Sequence, residues 1–162
     1  MEGLRGQRTE AGIHDVGLMS LEHGRLPFEE LDFIYMPSSD VAADLAYYRD
    51  VLGGEIVFAI EAFGTRVAQV RLSAGGPRLL LAGHMTGEAP VLLHRVPGLD
   101  AAVEELEQRG LEVGDRFGFP HGEAVAMRSP GGQRLAIYEL TRPQADERLA
   151  GRHDFGPGTD RA

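Results

Sequence analysis

The chain contains no cysteine and no lysine; all 16 of its basic residues are arginines. The first absence excludes a thiolate nucleophile, a disulfide and any thiolate-bound metal. The second excludes a Schiff-base lysine and a P-loop lysine. Long apolar runs are also missing. Met1 to Ser20 is broken by Arg5, Arg8, Glu10, His14 and Asp15, so it does not read as a secretory signal, and no stretch approaches the roughly 20 apolar residues of a membrane span. Positive charge is scarce: 25 acidic residues outweigh the basic ones and leave a formal charge of −9. Such a surface repels phosphate backbones and anionic lipid. Nucleic-acid and membrane partners are therefore not expected, and the protein reads as cytoplasmic.

Against these absences stands an ordinary globular composition, 43% hydrophobic and 25% charged over 162 residues. That length fits one domain, burying about 70% of the surface its unfolded chain exposes. Residues 1–28 lack sustained periodicity and read as an arm, residues 29–141 as the domain, and residues 142–162 as a tail. Within the domain, Leu31 to Met36 reads as a strand that stops at Pro37-Ser38-Ser39-Asp40, where Asp40 or Ser39 caps a helix from Val41 to Leu52. Gly53-Gly54 ends that helix, and strands follow at Glu55 to Phe63, Arg66 to Leu72 and Arg78 to Ala82.

The order then repeats. Val91 to Val96 is a strand, Asp100 to Arg109 a helix ended by Gly110, and Leu111 to Phe117, Ala124 to Arg128 and Arg134 to Leu140 are strands. Gly76-Pro77-Arg78-Leu79-Leu80-Leu81 aligns with Gly132-Gln133-Arg134-Leu135-Ala136-Ile137, and the helix-opening Asp40 aligns with Asp100. The reading is an internal duplication: two tandem βαβββ modules, about 31–84 and 90–140, of an α+β fold.

The paired βαβββ unit, with Tyr47-Tyr48-Arg49-Asp50-Val51-Leu52-Gly53 in its first helix and a closing Pro130-Gly131-Gly132-Gln133-Arg134-Leu135-Ala136-Ile137-Tyr138-Glu139, resembles the vicinal oxygen chelate superfamily of glyoxalase I, bleomycin-resistance proteins and extradiol dioxygenases. The resemblance implies a curved mixed sheet enclosing a cleft, the glyoxalase/bleomycin-resistance fold, and a homodimer. It also implies four metal-ligand places, on the first and last strand of each module. Carried over by position, these are Phe33, Leu80, Val91 and Ala136, none of which has a lone pair to offer. No metal and no other cofactor is expected. A one-residue slip in register would bring Asp32, His94 and Glu139 inward instead.

Tyr35 and Tyr138 share strand parity with Phe33 and Ala136 and should project into the same space, either as ligand contacts or as core aromatics. His121 precedes a strand and leans over the cleft as a candidate polar contact. His94 faces the helix layer, and His84 falls in a loop. Arg71, Arg95 and Arg128 lie on strands, where an inward guanidinium would clamp a carboxylate. The leading reading is a metal-free protein that binds a small apolar or aromatic molecule among Phe33, Tyr35, Leu80, Val91, Ala136, Tyr138 and His121, as drug-sequestering resistance proteins do. Two others stay open: a metal-dependent lyase, isomerase or dioxygenase with ligands such as His84, His121 and Glu139, and a degenerate module serving dimerisation or regulation.

Overall fold

Alternation in the first strand segment sends Phe33 and Tyr35 to one side and Ile34 and Met36 to the other. In the computed structural model, which describes residues 26–62 and 64–158, that strand is β1, Glu30–Pro37. The expected arm up to residue 25, with His14 and His23, and the expected strand end Phe63 lie outside the described residues. Asp40 caps α1, Val41–Ala46, by accepting a hydrogen bond from the Ala43 amide at 3.0 Å. Periodicity predicts an α-helix as far as Leu52. The chain remains helical, but Tyr47–Val51 winds as a π-helical turn. Its wider turn breaks the apolar stripe, so Val41 and Leu45 are buried whereas Leu52 is 46% exposed. Gly53, at φ +72°, then reverses the chain into β2, Glu55–Ala62, followed by β3, Thr65–Arg71, and β4, Arg78–Ala82.

The second module comprises β5, Val91–Val96; α2, Leu99–Gln108; β6, Arg116–Phe119; β7, Gly122–Arg128; and β8, Arg134–Leu140. Two of its details differ from expectation. Asp100 does not open the helix: α2 begins at Leu99, whose amide donates to Glu139 Oε2 at 3.0 Å, while Asp100 pairs with Arg116 at the surface. The strand expected from Leu111 starts only at Arg116. Leu111 still bonds back to the Leu106 carbonyl at 2.9 Å, and Gly114 and Asp115 touch β7 through one bond on each side of Ala126. A Cβ at Gly114 would sit 2.6 Å from the Ala126 carbonyl oxygen, so this close approach requires glycine.

The eight described strands form one mixed sheet in the order β2-β3-β4-β1-β5-β8-β7-β6, curled into a half-barrel. Each module repeats one pattern: its first strand runs parallel to its last, β1 with β4 and β5 with β8. The modules join within the chain through antiparallel β1 and β5, with Tyr35 opposite Val91 and Phe33 opposite Leu93. Helices α1 and α2 cover the outer face, where Leu45 packs with Leu81 and Val70, and Val103 with Ile137 and Val125. Phe28 joins this outer layer and lies 5.2 Å from the His94 ring. No helix among the described residues is long and apolar enough to cross a membrane.

Residues 142–149 cross the inner face as a strap, and residues 150–158 round the β2 edge to α1. The Arg142 amide bonds the His121 carbonyl at 3.0 Å, and a short helix, α3, Ala145–Leu149, follows. The chain then runs beside the edge strand β2: the Ala59 amide donates to Arg152 O at 2.9 Å and the Asp154 amide to Ala59 O at 2.7 Å. Phe155 is buried with Val41, Ala42 and Leu45 of α1, under the Arg66 guanidinium 4.6 Å above its ring.

Two consequences are measurable. A Cβ at Gly122 would lie 2.2 Å from the Glu139 carbonyl oxygen in the β7–β8 ladder. Gly122→Ala is therefore expected to lower stability by about 3 kcal/mol in urea unfolding; a change within about 0.5 kcal/mol, typical of an open surface position, would contradict this packing. Phe155→Ala removes the anchor of the strap, and hydrogen exchange at the Ala59 and Asp154 amides should accelerate while the β5–β8 amides keep their protection.

Candidate functional site

The centre of the inner face is a hydrocarbon surface. Phe33, Tyr35, Leu80, Val91, Ala136 and Tyr138 belong to one buried cluster with Phe58, Leu93 and Phe119. His121 joins them: it is 2% exposed and its ring stacks 4.5 Å from that of Phe33. The seven residues singled out from the sequence thus share one face, and Tyr35 and Val91 also border open space.

At the module-one end the face is closed by a polar cluster. Arg78 enters at the start of β4 opposite Phe33, with its guanidinium 4.5 Å over the Phe33 ring. The strap delivers Asp146 to it, and the two form an ion pair. His121 Nε2 lies 2.7 Å from Asp146 Oδ1, and Gln69 Nε2, on a fully buried side chain, donates to the same oxygen at 3.3 Å. Burial, reinforced by the Arg78 and Arg142 charges, pushes His121 down to about 4. Because Arg78 already neutralises the Asp146 carboxylate, the imidazole stays neutral and donates through Nε2.

A second polar group lies beside the first. A register shift between Leu31 and Phe33 marks a bulge in β1, and the Asp32 carboxylate accepts a hydrogen bond from the Tyr138 hydroxyl. Arg95 joins Asp32 at 3.6 Å and also holds Glu29 at 3.1 Å and Glu30 at 3.0 Å. Burial first, then the bond to Asp32, raises the Tyr138 hydroxyl far above its ordinary value.

The module-two end is open. A cavity of about 700 Å³ lies between the inner face and the loops at 84–86 and 112–115. Tyr35, Val91, Phe117 and Ala126 form its apolar walls, with His84 6.0 Å from the Tyr35 ring and Phe117 6.4 Å from it. Desolvation raises the Tyr35 hydroxyl to about 12 and lowers His84, so both are neutral near pH 7. Arg128 and Arg134 stand at the margin, with Glu112 and Asp115 on the facing loop. Arg134 Nη1 donates to the Thr86 and Ala89 carbonyls at 3.0 and 2.8 Å, which fixes both the guanidinium and the loop.

The four positions at which the sequence resemblance implies metal ligands hold Phe33, Leu80, Val91 and Ala136, all in the buried hydrocarbon cluster. Their chemistry does not fit a metal ion, since none can donate an electron pair. Among the described residues no group of three or more His, Asp or Glu side chains converges as a metal site. Glu139 and His94 lie on the outer side, the former capping α2 and the latter beside Phe28. Arg71 is an exposed partner of Glu55. The sequence reading missed Arg78, Gln69 and Asp146. Gln69 did carry a signal, as a lone amide within Val67-Ala68-Gln69-Val70, but nothing local pointed to its partner 77 residues away.

No family model matches the chain, and no curated protein sequence matches it either. Solved structures do. Methylmalonyl-CoA epimerase from Mycobacterium tuberculosis superposes with a TM-score of 0.61 at 19% identity, covering 75% of this chain and 95% of that one. The Streptomyces coelicolor methylmalonyl-CoA epimerase bound to 2-nitronate-propionyl-CoA gives 0.57 at 17%, covering 70% and 99%. A catechol 2,3-dioxygenase gives 0.55 at 20%, with 84% of this chain matched to 48% of the longer one. What the chain shares with these enzymes is its architecture, and that architecture is the vicinal oxygen chelate fold.

Proposed function

We propose that the protein binds a small, largely apolar or aromatic molecule in the module-two end of its cleft, without a metal ion. The observation that carries this reading is the cavity of about 700 Å³ walled by Tyr35, Val91 and Phe117, with a few polar groups at its margin. Its size is that of sites for drug-sized ligands, in which apolar walls supply affinity and polar groups set orientation. Tyr35 and Phe117 offer two ring faces to a planar body. Phe33, Leu80, Ala136 and Tyr138 support that wall from within the core, and the bound molecule is expected to rest on Tyr35 and Val91.

Binding alone asks for no acid, base or electrophile, and the hydrocarbon at the four ligand places is consistent with that economy. Fluorescence titration with 2-naphthamide, a neutral planar probe, tests the reading. Saturable one-to-one binding is expected, with about tenfold weaker affinity in Phe117→Ala, the loss of one aromatic contact. No saturable binding, or equal affinity in the variant, would remove the cavity from consideration.

A further inference from the structure

We infer that the ligand carries a carboxylate and that Arg134 receives it. This rests on the cavity reading above and adds the chemical class of what enters. The argument comes from the duplication. Arg78 and Arg134 occupy the same place in Gly-Pro-Arg-Leu and Gly-Gln-Arg-Leu, at the start of the last strand of each module. Each stands beside the corresponding residue of its module's first strand: Arg78 pairs with Phe33, and Arg134 adjoins Leu135, whose partner Leu92 follows Val91. The two ends of the cleft are thus two copies of one site around an inward arginine.

One copy is filled, and its occupant is visible. At Arg78 the strap inserts Asp146, a carboxylate, flanked by the amide of Gln69 and the imidazole of His121. At the other end no segment among the described residues crosses, and the equivalent place opens on the 700 Å³ cavity. Arg134 forms no ion pair among the described residues; its Nη1 is held by two backbone carbonyls, which orient the guanidinium without neutralising it. A half-buried cation fixed in direction at the edge of a cavity with apolar walls is a receptor for an anion, and a planar fork suits a carboxylate bidentately. Glu112 and Asp115, on the facing loop, are exposed to solvent and to screening, so they oppose an anion less than the fixed arginine attracts it. Ala126, the ladder partner of Ala136, stands where the first module has Gln69, the ladder partner of Leu80, so this copy lacks the amide that helps hold the carboxylate in its twin.

The test compares 2-naphthoate with 2-naphthamide, which share a body and differ in charge, on the full chain and on Arg134→Leu. In the unaltered protein the acid is expected to bind at least tenfold more tightly than the amide, and in Arg134→Leu the two affinities should converge. Because Arg134 also holds the loop through the Thr86 and Ala89 carbonyls, any loosening of that loop weakens both probes together, and the ratio between them isolates recognition of the charge. A ratio near one in the unaltered protein, or a ratio unchanged in Arg134→Leu, overturns the inference while leaving the cavity reading intact if the amide still saturates. Failure of both probes overturns both. Should Arg134→Leu not fold, Arg134→Gln keeps a donor to the loop carbonyls without the charge and must show the same convergence.

Discussion

The antiparallel seam between β1 and β5 decides everything else in this molecule. Two modules of the same pattern meet strand to strand, so their last strands, β4 and β8, flank the seam and the four strands nearest the centre carry the buried inner face. Phe33, Tyr35, Val91 and Leu93 pack there as hydrocarbon, and that choice has a price for every polar group nearby. A polar atom on this surface must find a partner or lose the hydrogen bonds it had in water. Arg78, Gln69, His121 and Tyr138 all find carboxylates, and both carboxylates come from unusual sources: a bulged strand residue, Asp32, and a residue of the strap, Asp146.

The strap makes the two halves unequal. Duplication supplies matching cleft ends, yet among the described residues only one receives a crossing segment, and that asymmetry separates a filled end from an open one. Helix α3 is too short to be stable by itself; it is held by what precedes and follows it, namely the Arg142–His121 bond and the seating of Phe155 against α1. The cavity owes its shape to a different local event. Gly114 brings residues 111–115 against β7 without a regular ladder, so the second module forms a loop where a strand was expected and the cleft keeps an opening.

Much of this was legible in the sequence because it depends on short-range pattern. Alternation placed Phe33, Tyr35, Ala136 and Tyr138 on one face, glycine pairs marked the turns, and Asp40 announced its helix. The repeated Gly-x-Arg-Leu exposed the duplication. The errors share a cause. Glu139 capping α2, Asp146 reaching Arg78, and the bulge that redirects Asp32 all join residues distant in the chain, and a π turn after Ala46 leaves no trace in apolar spacing beyond one misplaced leucine, Leu52. A strand's parity can be read locally; the identity of the group that meets it across the cleft cannot.

The seating of residues 150–154 along β2 has a further effect. A half-barrel has two free borders, and each is a row of unpaired amides and carbonyls able to recruit a foreign strand. Here the Ala59 amide and carbonyl are already engaged by the chain's own Arg152 and Asp154. The opposite border, β6, is four residues long and ends at Pro120. Uncontrolled sheet growth is thereby discouraged on both flanks, by occupancy on one and by brevity on the other, and a protein with so greasy an interior remains safe from templating its own aggregation.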